Sequence, residues 1–100
     1  MRKRGRVDGN QKEIIDTLRQ CGCSVADTSA MGDGFPDIVI GRHGVNYMLE
    51  LKNGDLSPSR QKLTPAEEKF HDGWRGVIYT VNSVEQALAV VGLVSYVTNR

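Results

Sequence analysis

Three charged side chains stand where charge is least expected. Asp37 lies in the apolar run Phe35-Pro36-Asp37-Ile38-Val39-Ile40, and Glu50 and Lys52 end the run Tyr47-Met48-Leu49-Glu50-Leu51-Lys52. Such groups are rarely buried among apolar residues without partners. Two carboxylates brought close together repel each other unless a proton or a cation is shared between them. Oxygen donors of this kind suit Mg²⁺ or Mn²⁺.

Whether the three charges meet depends on the elements that carry them. The two runs flank Gly41-Arg42-His43-Gly44 and read as an antiparallel β-hairpin. Side chains alternate faces along a strand, and directly opposed residues share a face. A turn centred on Arg42-His43 sets Asp37 opposite Met48 and diagonal to Glu50. One face then carries Asp37, Val39, Met48, Glu50 and Lys52. The other carries Ile38, Ile40, Val45, Tyr47, Leu49 and Leu51 and is almost wholly apolar. A slip of one residue would oppose Asp37 to Leu49 and mix the faces, so the patterning favours the first pairing.

Around the hairpin the chain reads α-β-β-β-α-β-α, an α/β (mixed α+β) fold with a mixed sheet and helices on both sides. A first helix spans Asp8 to Cys21, with Ile14, Ile15 and Leu18 as its apolar stripe and Asn10 with Glu13 as a capping box. Gly22 ends it, and Cys23 to Asp27 forms a short strand. Residues 29–34 make a Gly-rich approach to Phe35. After Lys52 comes a turn at Asn53-Gly54-Asp55 and a polar loop from Leu56 to Leu63. Thr64-Pro65-Ala66-Glu67 is a strong helix start, and the helix runs to about Asp72 with Phe70 and Trp74 turned to the core. Gly76 to Val81 is a strand. Asn82 or Ser83 caps a last helix from Val84 to Val91, and Gly92 ends it. Leu93 to Val97 adds a short strand or packs.

One hundred residues suit one small domain, here residues 8–100 behind a basic arm, residues 1–7, that holds Arg2, Lys3, Arg4 and Arg6. Thirteen Lys and Arg against 12 Asp and Glu give a net charge of +1, so overall charge does not announce a nucleic-acid binder. The arm can touch phosphates or be a solvated tail. Cys21 and Cys23 are too close in sequence for a good disulfide and too few for zinc, which leaves free thiols in a reducing cytoplasm. No apolar run is long enough for a membrane span.

A Pro-Asp pair, twelve residues and then Glu-x-Lys is the pattern of the PD-(D/E)XK nuclease superfamily, on the hairpin where that superfamily carries it. The chain further resembles a stand-alone VRR-NUC (virus-type replication-repair nuclease) domain, as found in small phage proteins and at the C-terminus of Fanconi-associated nucleases. The resemblance rests on Asn10-Gln11-Lys12-Glu13-Ile14-Ile15, Gly34-Phe35-Pro36-Asp37, Leu49-Glu50-Leu51-Lys52, and Leu63-Thr64-Pro65 through Trp74-Arg75-Gly76 into residues 81–88. It implies a restriction-endonuclease-like core and a metal-dependent DNA phosphodiesterase. Asp37 and Glu50 would hold Mg²⁺ or Mn²⁺ with the backbone carbonyl of Leu51. Lys52 would lie beside the attacking water and the scissile phosphate, as a positive charge or, with a lowered pKa, as a base. The plain alternative for Glu50-Leu51-Lys52 is a solvated ion pair on an edge strand.

Glu13 has two readings, a helix cap worth about 1 kcal/mol or a carboxylate aimed at the metal site. Glu67 stands where relatives carry Gln, so the fourth corner of the site is open: an amide donates, whereas an ionised carboxylate only accepts. Arg42, Arg60, Lys62 and the nearby Gln61 are candidate DNA contacts. His43 and His71 lack partners for a His-metal nuclease and read as surface residues. The expected function is an endonuclease acting in phage replication or repair as a homodimer, on branched DNA such as Holliday junctions, in the host cytoplasm. The alternatives are a non-catalytic DNA-structure-binding module and an accessory nuclease subunit.

Overall fold

The computed structural model describes residues 9–93, so the basic arm at residues 1–7 and the segment after Leu93 lie outside the described residues. The elements run α1 (Gln11–Gln20), β1 (Ser24–Asp27), β2 (Ile38–Arg42), β3 (Val45–Leu51), a 3₁₀ turn (Pro58–Gln61), α2 (Pro65–Gly73), β4 (Ile78–Val81) and α3 (Val84–Val90). This is the order read from the sequence, apart from the 3₁₀ turn inside the polar loop. The sheet is ordered β1-β2-β3-β4, with β3 and β4 parallel and the other pairs antiparallel.

The apolar stripe of α1 builds one side of the molecule. Ile14, Ile15 and Leu18 pack with Ile38, Ile40, Leu49, Leu51 and Val81 of the sheet and with Ala87 and Val91 at α3. The apolar face derived from parity is therefore the face that α1 and α3 cover. Each fully buried side chain of this kind contributes about 1.5–3 kcal/mol relative to exposure. The far end of β3 runs out of cover, and Val45 is 47 % exposed.

The hairpin register differs from the sequence reading by two residues. Val39 pairs with Met48 and Arg42 with Val45. The loop is His43-Gly44, with φ of 52° and 77°, the left-handed pair that a two-residue type I′ turn requires. Gly44 takes the left-handed conformation without a Cβ penalty, which draws the turn one position later. A two-residue slip preserves parity, so the faces survive. Asp37, one residue before β2, falls opposite Glu50 rather than Met48.

Two helix ends also differ. Asn10 makes no side-chain cap for α1. Its Nδ2 instead donates to the Lys52 carbonyl at 3.0 Å and the Asn82 carbonyl at 3.1 Å, tying α1 to the ends of β3 and β4. Helix α2 buries no residue. Phe70 is half-buried and Trp74 is 43 % exposed, so neither faces the main core. The helix is held by other means. Gly34, at φ +81°, passes so close to α2 that a Cβ would overlap the Ala66 carbonyl. Gly34→Ala is therefore expected to cost more than the left-handed penalty of about 1–2 kcal/mol. Thermal unfolding should show the loss, and near-ultraviolet circular dichroism of Trp74 should report α2 loosening.

Candidate active site

Asp37 is fixed through its backbone before its side chain does anything. Its N–H donates to the Leu49 carbonyl at 3.0 Å, and its carbonyl accepts from the Thr28 N–H at 2.8 Å. The Thr28 hydroxyl donates to the Pro36 carbonyl at 2.7 Å. Thus the loop before β2 is stitched to both neighbours, and the Asp37 side chain is aimed at β3. Its Oδ2 accepts the Leu51 N–H at 2.8 Å.

Glu50 is 1 % exposed on an inner strand. The reading of Glu50-Leu51-Lys52 as a solvated pair on an edge strand does not hold. Glu50 Oε2 lies 3.7 Å from Lys52 Nζ, while Oε1 is buried with no hydrogen-bond partner. Burial first, then hydrogen bonding to Glu67 and the charges of Asp37 and Glu67, push its carboxyl up to about 10. Without a cation, a carboxylate here is held in its protonated form at neutral pH.

Lys52 Nζ donates to Glu67 Oε1 at 2.8 Å, and the two side chains are 13 % and 19 % exposed. Burial alone would lower the Lys52 pKa, but the Glu67 hydrogen bond and the charges of Glu67, Glu50 and Asp37 outweigh it, and the net direction is upward. Without a bound ion the lysine is therefore held in its charged form, and nothing around it lowers its pKa toward that of a base. Burial would raise Glu67, but the Lys52 hydrogen bond leads the contacts that hold it below its ordinary range.

Glu67, the candidate fourth corner, makes two kinds of contact. Its Oε1 accepts the Thr64 N–H at 2.8 Å, and the Thr64 hydroxyl accepts the Glu67 N–H at 3.2 Å, closing a capping box. The same oxygen takes the lysine ammonium. Helix start and site thus share one atom. The Thr-Pro-x-Glu pattern signalled the cap, but nothing local in sequence pointed to Lys52.

The other candidates are dispersed. Glu13 is exposed in a groove lined by Asn10, Asn53, Asp55, Asn82 and Glu85, and none of Asp37, Glu50 or Lys52 lines that groove. Arg42 Nη1 donates to the Val91 carbonyl at 2.8 Å, closing the end of α3. Gln61 spends its amide on the fold: Nε2 donates to the Leu56 carbonyl at 2.7 Å, and Oε1 accepts from Asn82 at 2.8 Å. Arg60 and Lys62 are exposed. His43 is an exposed turn residue, but His71 is half-buried with Nε2 enclosed and unpartnered, which corrects its surface reading. Cys21 and Cys23 are free thiols, the first exposed and the second buried.

Among the described residues, no three or more His, Cys, Asp or Glu side chains form a complete metal cage. Mg²⁺ does not ask for one, because it is commonly held by one or two carboxylates, with water and substrate phosphate completing its shell. The donors present fit such an ion. Asp37 and Glu50 supply hard oxygens, and a cation would give Glu50 Oε1 the partner it lacks. No helix among the described residues is long and apolar enough to cross a membrane.

No family model and no curated protein matches the sequence. A solved structure described as a VRR_NUC domain superposes with a TM-score of 0.59 at 23% identity, covering 81% of this chain and 88% of that one. With its mixed four-stranded sheet flanked by helices, this chain has the fold of a VRR_NUC domain.

Proposed function

We propose that the protein is a metal-dependent DNA endonuclease whose centre is Asp37, Glu50 and Lys52. The observation that carries this reading is the buried Glu50 carboxyl, which interacts with Asp37 and leaves Oε1 without a partner, beside a lysine held charged. Asp37 and Glu50 would hold Mg²⁺ or Mn²⁺, with the Leu51 carbonyl as a further donor. Such an ion, when bound, supplies charge stabilisation at a phosphoryl oxygen and lowers the pKa of bound water. The protein's own part is positioning. The Leu51 N–H orients Asp37, and Glu67 fixes the Lys52 ammonium, which offers a compact charge to a non-bridging phosphate oxygen. Exposed Arg60 and Lys62 add sequence-independent attraction for the DNA backbone.

Branched DNA is the proposed substrate, and a homodimer the proposed assembly, since one domain offers one centre and two strands need two. The test is a Mn²⁺-dependent cleavage panel of linear, flapped and four-way DNA, with Asp37→Asn as control and light scattering to size the protein. Cleavage of a branched form that stops with chelator and with Asp37→Asn is the expected result. A gel shift without cleavage of any form would favour a non-catalytic DNA-binding module.

A further inference from the structure

Beside the proposed centre lies an aromatic cluster that the cleavage chemistry does not use. Phe70 stacks on Trp74, with ring centroids 5.4 Å apart and planes at 17°, and Phe35 meets Phe70 edge-on at 5.3 Å. The Trp74 indole is braced from another side, because a Cβ on Gly76 would stand 2.9 Å from its Nε1. Yet Trp74 stays 43 % exposed. Trp74, Phe70, Lys69, Ala66 and Asp33 line a groove of about 540 Å³. Lys69 offsets the Asp33 carboxylate in that lining, and Arg75, the residue after Trp74, is exposed.

The position matters more than the exposure. Phe35 stands two residues before Asp37, and Phe70 stands one helical turn after Glu67, the partner of Lys52. The groove and the centre are thus built from the same two chain segments. Helix α2 links the two, with Glu67 in its first turn and Trp74 as the residue that ends it.

We infer that this cluster is a shelf on which an unpaired base of the DNA stacks, near the bond to be cut. A braced, partly exposed indole with a lysine in the same groove is a platform suited to a single-stranded base, because every base has a π-face. The inference rests on the nuclease reading and deepens it: the substrate would be duplex with unpaired nucleotides near the cleavage point, not uninterrupted duplex.

Trp74 is the only tryptophan in the chain, so its fluorescence reports the event directly and without cleavage. In chelator, a duplex with a single-stranded tail should quench it, and a blunt duplex of equal length should not. Trp74→Leu, which keeps apolar bulk without stacking, should bind tailed DNA about tenfold more weakly or worse, with blunt-duplex affinity unchanged. Trp74→Tyr should restore the preference. Equal quenching by both DNAs, or undiminished binding of tailed DNA by Trp74→Leu, would overturn the shelf. Should Trp74→Leu fail to fold, the wild-type fluorescence decides alone. Tail-selective quenching in a protein that cuts nothing would sink the nuclease reading and leave the shelf standing.

Discussion

Glu50→Gln will abolish metal-dependent cleavage and yet make the metal-free protein more stable. The two effects have one cause. Glu50 is 1 % exposed, faces Asp37 and Glu67, and leaves Oε1 without a partner. Its pKa is raised from 4.5 to about 10 in the folded chain. Between those values the unfolded chain has released the proton that the folded chain keeps, so stability falls as pH rises through this window. The stabilising contribution is complete below about pH 4.5 and is lost progressively toward pH 10. Neighbouring groups act elsewhere: the depressed Glu67 contributes stability that is lost only in acid, and the raised Lys52 only in strong base. An amide keeps the shape and removes the dependence. Thermal melts in chelator should therefore show wild type falling behind Glu50→Gln as pH rises from about 5 to 9. Each kcal/mol is worth about 4–8 °C in a domain this size. Cleavage should fall by more than about 100-fold, since partners outside the ligand shell alone are commonly worth 10–100-fold.

Lys52→Met will cost cleavage about 10²–10³-fold, the usual loss when one preorganised positive or hydrogen-bonding group leaves a centre of developing negative charge. Methionine keeps most of the stem and removes only the ammonium. Unlike Glu50→Gln, it should destabilise, because the ionised Glu67 loses its cation. The pair is neither fully buried nor free in water, with side chains 13 % and 19 % exposed. The cost should lie between the ~0–1 kcal/mol of a surface pair and the ~3–5 kcal/mol of a broken buried one. Single-turnover cleavage well below the melting temperature separates the losses. A Lys52→Met protein that cuts at the wild-type rate would remove the lysine from the mechanism.

Much of this site was legible because β-structure encodes faces by parity. Any register of the right parity gathers Asp37, Glu50 and Lys52, so a two-residue error in the turn left the site intact. The turn itself was misplaced because His43 takes a positive φ, which only Gly44 signalled locally. The cap at Thr64 was legible because capping boxes are built from residues three apart. The Asn10–Glu13 pair has the same spacing, yet Asn10 bonds to carbonyls 42 and 72 residues away. Arg42 and Gln61 show the same limit, since their bonds to the Val91 carbonyl and to the Asn82 amide have no local signal in sequence. Phe70 and Trp74 have the spacing of a core stripe, but the apolar face of the sheet is already covered by α1 and α3, and α2 buries no residue. Local pattern gives faces and caps. It does not give long-range polar ties.

On the proposed function, Asp37 and Glu50 together hold a divalent cation. Electron paramagnetic resonance of free Mn²⁺, titrated against wild type, Asp37→Asn and Glu50→Gln, tests it without DNA or turnover. Wild type should deplete the free Mn²⁺ signal, and either substitution should abolish the depletion. Equal depletion by all three proteins would contradict it.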